Sequence, residues 1–316
     1  MTALPMKDKA ILAARPSKHR VDPRRPYAYL MEPECQSNGA VEDVAVVFLT
    51  NKECAFRCLM CDLWMNTTDA PVPVGAIPEQ IDFALAQLAP ARHIKLYNSG
   101  NFFDPSAIPP EDYAAIIERV QGFATTIVEN HPRLCGDRLR QFVDRLAAVR
   151  AMTQLEVAMG LETIHPRVLP LLNKRMTTAS FGRACDTLQS LGVAIRAFVL
   201  LRPPTLSEQE GLEWALRSIE FAFDCGAGVV SVIPTRTGNG MMEQLQSAGL
   251  FAPPSLDSLE TVLAAGLAMG RGRVLVDLWN AESLFINTSQ PATETQSLHA
   301  RVERLRQMNL CQRVLP

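Results

Sequence analysis

The sequence contains no apolar run long enough to cross a bilayer. Its longest runs, "VAVVFLT" and "IRAFVLL", are strand-sized, against the roughly 20 residues a membrane-spanning helix needs. The N-terminal "MTALPMKDKAILAARPSKHR" has neither the continuous apolar stretch nor the small-residue cleavage site of a secretory signal. These absences make the cytoplasm the expected location, with no membrane partner. Thiols stay reduced there, so the 8 cysteines are expected to serve as metal ligands or catalytic groups rather than disulfides. Low-complexity tracts and internal repeats are also missing from the 316 residues, and 47% hydrophobic with 20% charged residues describes a globular chain. Nor is either charge in large surplus: a net charge of -2 gives no general pull toward nucleic acid. Only residues 1–25 depart from this, with seven Lys or Arg against Asp8 and Asp22, a local balance of +5. A solvated, flexible tail is expected there, with a phosphate-contacting arm as the alternative.

What the chain does have is alternation. "VAVVFLT" reads as a buried strand, and "HIKLYNSG", "TTIVEN", "LEVAMGLET", "IRAFVLLRPP", "GVVSVIPT" and "RVLVDLW" follow as further strands. Amphipathic segments separate them. One opens near Pro78 with Ile81, Leu85 and Leu88 on a face; another opens near Pro110 with Tyr113, Ile116, Ile117 and Val120 inward. A third carries Leu139, Phe142, Val143, Leu146 and Val149; Ser207 with Glu210 makes a capping box for a fourth. Such alternation predicts an α/β fold: a partial or full parallel (βα) barrel of six to seven units, TIM-barrel-like, with a doubly wound sheet as the alternative. The expected division is a basic N-terminal extension (1–43), a barrel core (44–285) and a C-terminal helical extension (286–316).

Cys54, Cys58 and Cys61 form C-x3-C-x2-C directly after the first of these strands, at the carboxyl end where both architectures bind ligands. A fourth ligand is missing. Structural zinc takes four closed ligands, and the nearest other cysteines, Cys35 and Cys135, are distant in sequence. Iron–sulfur clusters are held by thiolates, and a cubane with three of them leaves one iron open to a substrate.

This motif resembles the signature of the radical S-adenosylmethionine (SAM) superfamily. Four stretches in matching order, "KLYNSGNFFDPSAIPPEDY", "GLETIHPRVLPLLNKRMTTASFGRA", "FVLLRPPTLSEQE" and "SVIPTRTGNGMMEQLQSAGLFAPPSL", resemble its archaeosine-synthase radical subunit branch, with elongator-type and methylthiotransferase enzymes as more distant kin. The resemblance covers about residues 44 to 270. It implies that Cys54, Cys58 and Cys61 ligate a catalytic [4Fe-4S] cluster. SAM would bind the open iron and be cleaved reductively to a 5'-deoxyadenosyl radical that takes hydrogen from a substrate.

Carried over by position, Phe56 and Trp64 would shield the cluster, and Met60 stands where the superfamily usually has an aromatic residue near adenine. Asn98, Ser99 and Gly100 match the turn that holds the SAM amino group, with Gly100 small enough for close approach. Glu129 and Glu162 are candidates for ribose or substrate contacts; Lys174, Arg175 and Arg202 are candidate cations for the SAM carboxylate or a substrate phosphate. "TRTGNG" follows a strand without the Lys-Ser or Lys-Thr of a P-loop and reads as a loop near the site. Cys185 and Cys225 read as small core hydrophobes. The absence of a second C-x2-C argues against an auxiliary cluster and against sulfur insertion. In His131-Pro132-Arg133 and His165-Pro166-Arg167 a turn-forming proline suffices as explanation.

The substrate implied by the resemblance is a tRNA-borne 7-deazaguanine with a lysine-derived adduct, cleaved at a carbon–nitrogen bond. It would be shielded by the N-terminal segment and the helix near "SLHARVERLRQM". The implied partners are SAM, an external electron donor of flavodoxin or ferredoxin type, and tRNA or an enzyme supplying the modified base. A small metabolite or free nucleoside is the alternative substrate, and a non-catalytic metal-binding protein the alternative class.

Overall fold

A computed structural model describes residues 7–149, 151–285 and 292–315. Helix α1 (Asp8–Ala14) leads into strands β1 (Ala28–Cys35) and β2 (Val41–Phe48). The βα series follows as α2 (Ala76–Leu85), β3 (His93–Tyr97), α3 (Tyr113–Val120), β4 (Thr125–Glu129), α4 (Asp137–Ala148) and β5 (Gln154–Glu162). It continues with the short α5 (Val168–Leu171), α6 (Thr178–Ser190), β6 (Ala194–Leu201), α7 (Glu208–Asp224) and β7 (Val229–Pro234). The last elements are α8 (Met241–Ser247), α9 (Leu256–Ala268), β8 (Arg273–Val276), α10 (Ala281–Phe285) and α11 (Ala292–Cys311). Strands pair in chain order, β1 antiparallel to β2 and every later pair parallel.

The expected alternation is therefore present. Each parallel strand turns one set of side chains outward to the helices: Val47, Leu96, Val157, Val199 and Val232 join the inward faces of the helices in one core. Tyr113, Ile116, Ile117 and Val120 are the buried face of α3, and Ser207 with Glu210 caps α7 reciprocally. Val149 departs from its expected inward place and is half exposed, because α4 ends at Ala148 and the chain leaves the helix face there.

Three parts differ from the sequence reading. First, the sheet begins at Ala28, inside the stretch 1–43 assigned to an extension, so the strand bearing the cysteines at its end is β2. Second, the basic N-terminus is not a free tail over its described residues. Ile11 is buried against Leu59, Met241 and Met242, and Arg15, Lys18 and Arg24 pair with Glu53, Glu53 and Asp69, and Glu79. Third, α11 does not shield the mouth but serves the open edge of the sheet. Asn309 bonds the N–H and C=O of Val276, and Gln312 those of Val274, so the outer strand's free backbone groups are occupied.

The sheet curls far enough for β1 to reach across to β6 and β8. Glu34 of β1 accepts two bonds from Arg196, at 2.6 and 3.0 Å, and one from Arg273 at 3.3 Å. Arg196 also donates to Glu156 at 2.6 Å, and Lys95 to Glu34 at 2.5 Å. These buried charges lie near the starts of the parallel strands, so they close the bottom of the barrel and leave the carboxyl ends as its open mouth.

Candidate cofactor site

The cysteine loop leaves β2 at Leu49 and is closed at its neck by a bridge between Lys52 and Thr68, with Glu53 N–H donating to Thr68 O and Thr68 N–H to Asn51 O. Beyond the neck, backbone groups are held from three directions. Leu59 N–H donates to Leu172 O at 2.9 Å, Asn173 donates to Arg57 O at 2.7 Å, and Asn239 donates to Leu59 O at 2.8 Å and Cys61 O at 3.2 Å. Glu53 gathers Arg15, Lys18 and Arg57. The N-terminal strap crosses above, with the Arg15 guanidinium 4.4 Å from the centre of the Trp64 ring and His19 N–H on Met65 O. A loop so short and polar has no core of its own, and its conformation is set by these ties from distant segments.

The three thiols of this loop are only partly exposed. Burial pushes all three pKa values up, Cys58 to about 11 with the Lys174 ammonium opposing, and Cys58 and Cys54 raise Cys61 further. Among the described residues no three His, Cys, Asp or Glu side chains converge as a ready-made metal site. The donor chemistry nonetheless fits a thiolate-held cluster: three thiols near enough to repel one another as anions, and Cys54 Sγ already accepting from Asn101 Nδ2 at 3.1 Å and Phe56 N–H at 3.4 Å. A cationic centre would stabilise the thiolate forms that burial and one another's charge disfavour.

Beside the loop, the turn after β3 carries buried amide groups without a hydrogen-bond partner in the chain. Asn98 is fully buried with both Nδ2 and Oδ1 unpaired, and Asn51 Oδ1 is likewise unpaired. An unpaired buried amide costs about 1–3 kcal/mol, so these groups have bonding capacity that the chain itself does not use. Ser99, not Gly100, takes the left-handed conformation, at φ 50, and its hydroxyl meets the Tyr27 hydroxyl at 2.8 Å. A Cβ on Gly100 would make only ordinary contacts, at 3.5 Å or more, so close approach within the chain does not require glycine there.

Glu162 ends β5 at φ 66, at a register shift between β5 and β6. Its carboxylate forms a buried ion pair with Lys174. Gly160 lies under that pair, and a Cβ there would overlap both Glu162 Oε1 and Lys174 Nζ. Burial opposes the charge on Lys174, but Glu162 outweighs it and raises the lysine pKa. Glu129 stands at the end of β4, where burial lifts its carboxyl to about 7.

No protein-family model matches the chain. In sequence it is similar to archaeosine synthase subunit beta of Methanosarcina acetivorans, 26% identical over 237 residues, covering 72% of this chain and 67% of that one. It is also similar to archaeosine synthase subunit beta of Thermococcus kodakarensis, 28% identical over 190 residues, covering 58% and 57%. In structure it resembles an N-terminally truncated Elp3 of the archaeon Methanocaldococcus infernus, with TM-score 0.52 and 14% identity over 83% of this chain and 63% of that one. These likenesses of sequence agree with the archaeosine-type resemblance read from the sequence, and the likeness of structure with its barrel fold. The chain spans about two thirds or less of the length of each of these three proteins.

The remaining residues named from the sequence have the following partners. Phe56 stacks on the His131 imidazole, ring centres 3.8 Å apart and 9° from parallel. Trp64 is buried and donates from Nε1 to Cys61 O at 3.0 Å. Met60 packs between two apolar clusters, one holding Ile11 and Met242, the other Leu172 and Leu200. Arg175 is engaged by Asp8. Arg202 is held by Glu208 and by the Pro253 carbonyl at 2.7 Å, so its guanidinium is committed to the β6–α7 connection.

Sequence reasoning passed over Asn101, Asn239 and His131. The first two are single polar residues in loops, with no spacing to mark them. His131 had a visible signal in the repeated His-Pro-Arg, but proline alone is not its explanation. Arg133 N–H donates to His131 Nδ1 at 3.1 Å, and His131 Nε2 donates to Lys174 O at 2.9 Å. Burial, with the nearby Lys174 charge, lowers its pKa to about 3 and keeps it neutral. His165 repeats the turn, its Nδ1 accepting from the N–H groups of Arg167 and Val168.

Proposed function

We propose that the chain is an enzyme in which Cys54, Cys58 and Cys61 hold a [4Fe-4S] cluster, and that it takes hydrogen from a modified base carried on tRNA. The observation that carries the first part is the loop of Cys54, Cys58 and Cys61, tied by backbone bonds at the carboxyl end of β2 beside the unpaired Asn98 amide. The tRNA substrate, and a second subunit working with this one, are supported by the names of the two archaeosine synthase relatives. When bound, the cluster would supply the electron that cleaves SAM to the 5'-deoxyadenosyl radical.

The chain's own residues have separable tasks. Asn98 offers one donor pair and one acceptor to the amino-acid portion of SAM, assisted by Ser99 at the same turn. Glu129 has its carboxyl on the backbone N–H of Asn98 and, lifted by burial to about 7, can accept from or donate to a ribose hydroxyl. Lys174 is neutralised by Glu162, so the pair works as a fixed dipole beside the thiols rather than as a free cation. The strap of Ile11, Arg15 and His19 covers the loop and limits water, which a carbon radical requires.

Anaerobic reconstitution with iron and sulfide, then dithionite and SAM, tests the reading. Formation of 5'-deoxyadenosine by the wild type and none by Cys58→Ala is expected. A full cluster that yields no 5'-deoxyadenosine overturns it, as does a colourless anaerobic preparation with stoichiometric zinc, which belongs to a non-catalytic metal-binding protein.

A further inference from the structure

Outside the thiol loop, a cavity of about 670 Å³ opens between the turn after β4 and the start of α6. Three of its lining residues are arginines, Arg133, Arg175 and Arg183, accompanied by the hydroxyls of Thr177 and Ser180. No Asp or Glu lines it. That is a strong local bias in a chain whose 33 acidic residues outnumber its 31 Lys and Arg. All three arginines are exposed. Arg175 is paired with Asp8, whereas no ion pair is formed by Arg133 or Arg183 with an acidic residue among the described ones. The cleft shares its wall with the candidate site: Arg133 follows His131, and Arg175 follows Lys174.

We infer that this cleft binds backbone phosphates of an RNA substrate and so orients the RNA across the barrel mouth. The inference rests on the reading of tRNA as the substrate. Guanidinium groups suit phosphate because they donate in a planar fork, and exposed ones reach a ligand without leaving a buried partner unpaired. Pro132, Met176 and Ala184 add apolar lining, and the Asn173 amide donates to Asp8 and Arg57 O, which leaves the arginines and hydroxyls as the polar contacts open to a ligand. The basic N-terminus, by contrast, has Arg15, Lys18 and Arg24 committed to carboxylates. Lys9 and Arg20 are in no ion pair among the described residues, so the arm is the rival surface that the test separates from the cleft.

The test uses the full chain, prepared anaerobically, and a fluorescently labelled, unmodified tRNA transcript whose binding is followed by anisotropy from low to moderate salt. Arg133→Ala with Arg183→Ala should weaken binding about tenfold or more at low salt and flatten the log–log salt dependence by about 1 to 2. Lys9→Ala with Arg20→Ala should change neither. Unchanged binding in the cleft variant, with the wild type binding normally, overturns the cleft and leaves the tRNA reading standing. No binding by the wild type even at low salt removes the tRNA reading, and the cleft with it. A nucleoside diphosphate should displace the transcript only where it acts as added salt; displacement at micromolar nucleotide assigns the cleft to a small phosphorylated ligand and overturns the proposal. Matching circular dichroism melts of the variants show that folding is not the cause.

Discussion

The bottom and the mouth of this barrel both bury polar side chains, but by opposite rules. At the bottom, Glu34, Glu156, Lys95, Arg196 and Arg273 satisfy one another across β1, β3, β5, β6 and β8. Coulombic attraction to Arg196 and Lys95 outweighs burial and holds the Glu34 carboxyl far below the ordinary range, so it stays ionised. At the mouth, Asn98 has no partner for its amide, and the three thiols have burial and one another to raise their pKa values. A closed network fixes the sheet's curl. An open one reserves bonding capacity for something outside the chain.

The sharpest way to break this contrast is at the bottom. Arg196→Met leaves Glu34 and Glu156 buried without their main partner, and should cost about 3–5 kcal/mol of unfolding free energy, read by urea denaturation. Stability lowered by less than about 1 kcal/mol would show that the network is not what holds the curl. Gly160→Ala acts between the two ends. Its Cβ would displace the Glu162–Lys174 pair, at about 1–3 kcal/mol, and iron retained after reconstitution should fall with it. Wild-type iron content in a correctly folded Gly160→Ala would mean that the pair does not matter to the thiol loop. Asn98→Leu should have the smallest effect on folding. Replacing an unpaired buried amide by an apolar group of similar size should be neutral or stabilising by about 1 kcal/mol, while equilibrium dialysis shows weaker SAM binding by the reconstituted protein. Clear destabilisation would place Asn98 with the bottom of the barrel rather than with the mouth.

Much of the fold was legible because it rests on local pattern. Continuous apolar runs marked β2 to β8, the spacing of Tyr113, Ile116, Ile117 and Val120 marked the inward face of α3, and Ser207 with Glu210 marked the start of α7. Strand β1 was not legible. Its Glu32, Pro33 and Glu34 look wrong for a buried strand, and Glu34 is accepted there only because Lys95, Arg196 and Arg273 meet it from strands far along the chain. The edge protection by Asn309 and Gln312 was hidden for the same reason, since it depends on where α11 is laid against β8. In the site, the cysteine spacing marked the loop, whereas the residues that hold it, Asn173 and Asn239, lie 116 and 178 to 180 positions away from the groups they bond.

The sequence by itself determined the donor set: three thiols at a fixed spacing after a buried strand, with no fourth nearby, whatever the rest of the chain does. Only the tertiary structure decided which charges are committed and which remain available. Arg15, Lys18, Arg24 and Arg202 are taken up by carboxylates, and Lys174 by Glu162, while Arg133 and Arg183 face a cleft without acid. The physical reason is that a thiol's ligand character is a property of its own atoms, whereas the availability of a cation depends on what folds against it.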